Sequence, residues 1–133
     1  FVVCIFKASE WAKAASEQTG WTINLVSLQN RNPKAVPDAW ERAVLQDFDK
    51  RAAAGESPVT LEKGEMIISD DKGSEYRYMR ALPVAPICLT CHGTPDKLGA
   101  DVPNKLQALY PNDKGTGYTL GQLRGAMTIR KAQ

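Results

Sequence analysis

The run Cys88-Leu89-Thr90-Cys91-His92 constrains this chain most, because it uses two of the three cysteines and the only histidine. In a CxxCH run, one tight turn carries two thiols at the spacing of the two vinyl groups along one porphyrin edge. The histidine that follows can bring its imidazole beneath the porphyrin centre as an axial iron ligand. The motif therefore predicts one haem c, attached covalently through Cys88 and Cys91, with His92 on the iron.

Two other uses of such a motif are a zinc site and a redox dithiol. A structural zinc site takes four nitrogen or sulfur ligands, and Cys4 is the one cysteine left to complete such a set. Adjacent ligands at Cys91 and His92 would also strain tetrahedral geometry. A thioredoxin-like dithiol begins a helix after a parallel strand, whereas Pro83-Val84-Ala85-Pro86 precedes this pair. Haem is the favoured interpretation, with zinc and a dithiol as alternatives.

Composition limits the partners of the chain. Its 133 residues suit a single domain over residues 1–133. The 17 basic and 15 acidic side chains are scattered, so neither nucleic acid nor an acidic membrane surface is indicated. No stretch approaches 18 apolar residues, so we expect residues 1–133 not to span a membrane.

The cellular location follows from the motif and from the start of the chain. Haem is attached to CxxCH outside the bacterial cytoplasm, so a periplasmic or other extracytoplasmic location is predicted. The chain starts with the apolar run Phe1-Val2-Val3-Cys4-Ile5-Phe6 and has no initiator methionine. We expect residues upstream of Phe1, with an export signal or a membrane anchor among them.

Hydrophobic periodicity predicts an α+β fold with helices packed around an antiparallel sheet of about five strands. Apolar residues at 1, 4, 5, 8, 11, 12 and 15 indicate a long N-terminal helix whose inward stripe contains Phe1, Cys4, Ile5, Ala8 and Trp11. The other predicted helices cover 37–54, with Pro37 in the first turn, and 102–109. The predicted strands cover 21–28, 59–69, 75–82 and 123–129.

Hydrophobic periodicity alone does not identify the second axial ligand of the iron. Once His92 is used, the remaining soft donors are Cys4, Met66, Met79 and Met127. Methionines in alternating strands more often fill a core than bind iron, and a lone cysteine on an apolar helix face is usually a small buried hydrophobe.

Several motifs in one order resemble a c-type-haem-binding domain of unknown function from cyanobacteria and proteobacteria, which occurs alone or as an extracytoplasmic sensor. This resemblance implies a PAS-like fold and ligation of the iron by the CxxCH histidine and a cysteine of the N-terminal helix. Cys4 stands at the matching position. The motifs are Asn30-Arg31-Asn32-Pro33, Pro37-Asp38-Ala39-Trp40-Glu41, Tyr76-Arg77-Tyr78-Met79, the segment 86–93, the segment 110–118 and Leu123-Arg124-Gly125-Ala126.

Three arginines are candidates to bind the haem propionates, because guanidinium groups pair well with carboxylates. They are Arg31, Arg77 and Arg124. The first functional hypothesis is a redox or small-ligand sensor that acts on a signalling protein. The second is a soluble electron carrier with a redox partner. An enzyme such as a peroxidase is disfavoured, because the sequence contains no second histidine for acid-base work on the distal side.

Overall fold

Helix α1, Ala8–Thr19, is the first element of the computed structural model, which describes residues 8–133. The elements that follow are β1 (Thr22–Val26), α2 (Ala39–Ala53), β2 (Glu62–Ser69), β3 (Gly73–Pro83), α3 (Leu89–His92), α4 (Val102–Leu109) and β4 (Leu123–Ala132). Short 3-10 turns precede α2, β2 and α3. The predicted α+β class is confirmed.

The four strands of residues 8–133 form one sheet in the order β1-β4-β3-β2, and all neighbouring strands are antiparallel. The prediction of about five strands was therefore wrong for the described chain. Each of the four predicted strands is present, and the chain between β3 and β4 forms α3, α4 and loops. The turn-rich segment 70–72 joins β2 to β3 in a hairpin, as predicted.

Helix α2 begins two residues later than predicted, because Asp38 is its N-cap. The Asp38 side chain accepts from the Glu41 backbone N–H at 2.9 Å, and the Glu41 carboxylate accepts from the Asp38 N–H at 3.0 Å. This reciprocal capping box places Pro37 before the helix rather than in its first turn. Strand β2 also begins later than predicted, since Pro58–Thr60 forms a 3-10 turn.

The apolar core lies between α2 and one face of the sheet. Phe48 and Leu61 are completely buried there, together with Met79 of β3. The remaining buried members are Val26, Val44, Leu45, Ala81 and Ala126. Burial of each large apolar side chain contributes about 1.5–3 kcal/mol, so this layer supplies much of the stability of the domain.

Helix α1 packs against β1, an edge strand of the sheet. The Ser16 hydroxyl accepts from the Ile23 N–H at 2.9 Å and so joins the two elements. Ala8, Ala12 and Ala15 are half-buried, but Trp11 is 66% exposed. The prediction that Trp11 shares the inward stripe was wrong, because the side of α1 that packs on the sheet contains Ala12 and Ser16. Cys4 lies outside the described residues.

Across residues 8–133, no helix has both the length and the apolar character needed to cross a membrane.

Candidate functional site

The CxxCH motif forms a compact turn that projects from the end of β3. A 3-10 turn, Pro86–Cys88, runs directly into α3, which ends at His92. Cys91 is buried and Cys88 is half-buried, and neither forms a disulfide. Gly93 closes α3, and a Cβ there would lie 2.5 Å from the Leu89 carbonyl oxygen. Glycine is therefore required where the chain leaves the motif.

A loop far along the chain binds the end of this turn. The Gly117 N–H donates to the Gly93 carbonyl at 2.9 Å, and the Tyr118 N–H donates to the His92 carbonyl at 2.9 Å. The His92 ring also contacts this loop, with Nδ1 at 2.7 Å from the Gly115 carbonyl oxygen. The segment 113–118, which we call the clamp loop, therefore fixes both the backbone and the side chain of His92.

The clamp loop determines the tautomer of His92. A carbonyl oxygen can only accept, so the contact with Gly115 assigns the ring proton to Nδ1. Burial and the positive charge of Arg124 lower the pKa of His92 to about 4, so the ring is neutral at neutral pH. With the proton on Nδ1, Nε2 has a free lone pair, which a metal ligand requires.

Arg31 connects the CxxCH turn to the clamp loop. Its Nε donates to Asp113 at 2.9 Å, and its Nη2 donates to the Cys91 carbonyl at 2.6 Å and to the Gly115 carbonyl at 3.3 Å. Arg31 is only 8% exposed, and its Nη1 has no hydrogen-bond partner among residues 8–133. A buried guanidinium nitrogen in this state can accommodate an anionic oxygen.

Arg124 comes from the start of β4 and lies against the same histidine. Its Nη1 donates to the Ser27 hydroxyl at 2.9 Å and to the Gln29 carbonyl at 3.0 Å. Its Nε is 3.1 Å from His92 Nδ1. Since both nitrogens carry hydrogen in the assigned tautomer, we interpret this as a close contact and not as a hydrogen bond.

These groups meet at a cavity of about 260 Å³ beside β1. Arg31, His92 and Arg124 line it, together with the polar side chains of Asn24, Asn30, Asn32 and Lys34. Ala8 and Ala12 of α1 also line it. A second cavity of about 750 Å³ lies on another side of Arg124, but His92 does not line it. We therefore place the candidate site in the smaller cavity.

The structure brings most of the predicted site residues together. Cys88, Cys91 and His92 share one turn, and Arg31 and Arg124 both reach that turn or its histidine. The cysteines are not among the residues that line the 260 Å³ cavity. Sequence reasoning missed Asp113 and Gly115 as parts of the site. Their signal was the segment 110–118, which carried part of the family resemblance without a role for either residue.

The other candidates lie elsewhere or outside the described residues. The Arg77 guanidinium is 2.8 Å from Asp38 and 3.5 Å from Glu41, and it stacks 4.7 Å from the centre of the Trp40 ring. Arg77 therefore binds α2 and not the cavity. None of the three methionines considered as ligands lines the cavity either: Met79 is a core residue, Met66 is exposed, and Met127 is half-buried.

A zinc site was one of the two alternatives for the motif. Within residues 8–133, no group of three or more His, Cys, Asp and Glu side chains is arranged to hold a metal ion. A tetrahedral structural site needs four such ligands. The described geometry gives no support to a zinc site built on the CxxCH turn.

This α+β domain, with a CxxCH turn clamped beside an arginine-lined cavity, matches one known family over nearly its full length. The chain belongs to the Tll0287-like family, whose model matches residues 1–131. Among solved structures, it is similar to the crystal structure of the cyanobacterial heme-protein Tll0287, with 27% sequence identity and a TM-score of 0.75. The match covers 100% of this chain and 73% of that one. No curated protein matches the chain.

Proposed function

We propose that this chain is an extracytoplasmic c-type haem protein that carries one haem on Cys88 and Cys91 and works as a redox or small-ligand sensor. The observation that carries the proposal is the state of His92. This residue ends the CxxCH turn, lines the cavity, and keeps Nε2 free because Nδ1 is bound to the Gly115 carbonyl. The related cyanobacterial heme-protein supports the same cofactor.

The residues of the turn fit the chemistry of haem attachment. The S–H bond of each thiol would add across a vinyl double bond, which forms one C–S bond and one C–H bond and needs no oxidant or reductant. Arg31 lines the site, and its buried Nη1 has no hydrogen-bond partner among residues 8–133, so we assign Arg31 to a haem propionate. Arg124 is the second propionate candidate by its place in the cavity wall. A bound haem would supply a redox-active iron.

For the opposite axial ligand we propose Cys4. Ala8, the first described residue, lines the cavity. Four residues of chain reach at most about 14 Å, which keeps Cys4 within range of the cavity. A bound thiolate would favour ferric over ferrous iron and lower the reduction potential. Reduction would then weaken the bond to Cys4 and release the start of the chain, which gives a redox change a mechanical output.

We propose no enzymatic activity for the site. Asp113, whose carboxylate accepts from the Gly115 N–H beside His92, is held in an ion pair with Arg31. It is therefore poorly suited to act as a free acid or base. A sensor role rests on the PAS-like fold that the family resemblance implies, on α1 beside the cavity, and on the proposed loss of Cys4. The same haem without a change of ligand would make an electron carrier.

The first experiment tests the cofactor and separates the two functions. Protein made with a haem c maturation system should stay red after extraction with acidified acetone, because thioether bonds survive this treatment. A sensor should change its axial ligation on reduction and then bind carbon monoxide, as followed by optical spectra. A colourless acetone precipitate would overturn the haem proposal. Unchanged ligation and no carbon monoxide binding would favour the electron carrier instead.

The second experiment tests Cys4. Low-temperature EPR of the oxidised protein should give the spectrum of thiolate-ligated low-spin iron, and Cys4→Ser should lose it, because a serine hydroxyl is a much weaker iron donor. Met79→Leu is the control, since Met79 lies in the core and should leave the EPR spectrum unchanged. An unchanged spectrum in Cys4→Ser would remove Cys4 from the iron.

A further inference from the structure

We propose that Asp113 and Arg31 form a positioning pair that sets the strength of the hydrogen bond between His92 and the Gly115 carbonyl. The inference rests on the proposed function, because it concerns His92 as an iron ligand. It adds to that function a control of the axial ligand by residues that do not touch the iron.

The Asp113 carboxylate binds both the Arg31 guanidinium and the backbone of the clamp loop. Its Oδ1 accepts from Arg31 Nε at 2.9 Å and from the Gly115 backbone N–H at 3.0 Å. Its Oδ2 is 3.4 Å from Arg31 Nη2. The side chains of Arg31 and Asp113 are 7% and 9% exposed, so little water competes for these contacts. One carboxylate therefore fixes the guanidinium and the clamp loop relative to each other.

Arg31 and His92 share one acceptor. The Gly115 carbonyl oxygen lies 3.3 Å from Arg31 Nη2 and 2.7 Å from His92 Nδ1. A carbonyl oxygen has two lone pairs and can accept both bonds. A charged donor on one lone pair draws electron density from the oxygen, which weakens its bond to the second donor. Arg31 therefore limits how strongly the carbonyl polarises the Nδ1–H bond of His92.

The strength of this bond affects the iron ligand directly. A partner that accepts more strongly from the free N–H of a metal-bound histidine makes the ring a stronger donor. A stronger donor favours the ferric state. Removal of the Arg31 contact should thus strengthen the His92 bond to Gly115 and lower the reduction potential.

A charge effect alone predicts a different pattern. Arg31→Lys keeps the positive charge, but lysine has one nitrogen on a side chain that is one bond shorter. It therefore cannot replace both the Nε bond to Asp113 and the Nη2 bonds to the Cys91 and Gly115 carbonyls. If only charge matters, this variant keeps the native potential. Asp113→Asn removes a negative charge and keeps an acceptor oxygen, so it tests the positioning of Arg31 by a milder change.

The test compares the haem-loaded wild type with Arg31→Lys, Asp113→Asn and the double variant. Matched controls are Arg77→Lys and Asp38→Asn. Arg77 is also buried and pairs with Asp38 at 2.8 Å, but neither residue lines the cavity. The readouts are the ferric EPR g values, the midpoint potential, the covalently bound haem and the thermal midpoint of unfolding.

We expect Arg31→Lys to lower the midpoint potential and shift the g values, and Asp113→Asn to shift the g values, both beyond the controls. The double variant should shift the g values no further than Arg31→Lys, since the two residues act through one contact.

Native g values and potential in Arg31→Lys with haem bound would overturn the inference and leave the haem proposal intact. If Arg31→Lys does not mature, Asp113→Asn decides by its g values. A wild type without covalent haem would instead overturn the proposed function.

Discussion

The double variant Cys88→Ser, Cys91→Ser is expected to contain no covalently bound haem. A serine hydroxyl does not add to a vinyl group as a thiol does, so both links to the porphyrin rim are lost. The expected loss is complete, measured as absorbance of the protein pellet after acidified acetone and as the mass of the intact chain. Pigment that stayed with the double variant would contradict attachment at the CxxCH turn.

The control for this experiment is Cys4→Ser, which removes the third cysteine and should keep covalent haem. Folding must be followed as well, because Cys91 is only 1% exposed. A hydroxyl buried at that position costs about 1–3 kcal/mol if it finds no partner. Circular dichroism of the double variant therefore separates a loss of attachment from a loss of fold.

Phe48→Ala is expected to have the largest effect on stability. Phe48 of α2 is completely buried against the sheet, and it is the largest of the side chains that are less than 2% exposed. Deletion of a buried phenylalanine ring typically costs about 3–5 kcal/mol, out of a total of about 5–15 kcal/mol for a domain. Urea unfolding followed by circular dichroism should give this decrease in the free energy of unfolding.

The matched control for Phe48 is Trp11→Ala. It also deletes an aromatic ring, but Trp11 is 66% exposed on α1. Exposed substitutions usually change stability by less than about 0.5 kcal/mol. If Phe48→Ala cost as little as this control, the core would not lie where the structure places it.

The sequence correctly predicted those helices and strands whose sequence pattern lies within the element itself. Helix α4 has the predicted bounds, with a proline in its first turn. The hairpin of β2 and β3 follows from its turn-rich connection. Predictions failed where a neighbour in space decided the outcome. The apolar character of Trp11 predicts an inward position, but the contact between Ser16 and Ile23 helps turn another side of α1 to the sheet.

The same distinction between local and long-range contacts applies to the candidate site. The CxxCH turn is contiguous, so its spacing alone predicted the arrangement of Cys88, Cys91 and His92. Arg31 and Asp113 are 82 residues apart, and no periodicity links them. In the sequence, Arg77 was as good a candidate to bind a haem propionate as Arg31 and Arg124. In the structure it packs against α2 beside Asp38. Only the packing of the chain could distinguish among the three arginines.

The clamp loop has a consequence for the biogenesis of the proposed haem protein. The loop binds the backbone of His92 and Gly93, while the side chain of Cys91 is almost entirely covered. A ligase cannot reach a thiol in that position. The proposed thioether bonds would therefore have to form on a chain that is still open, before Cys91 is covered, so that cofactor insertion would precede the last folding step.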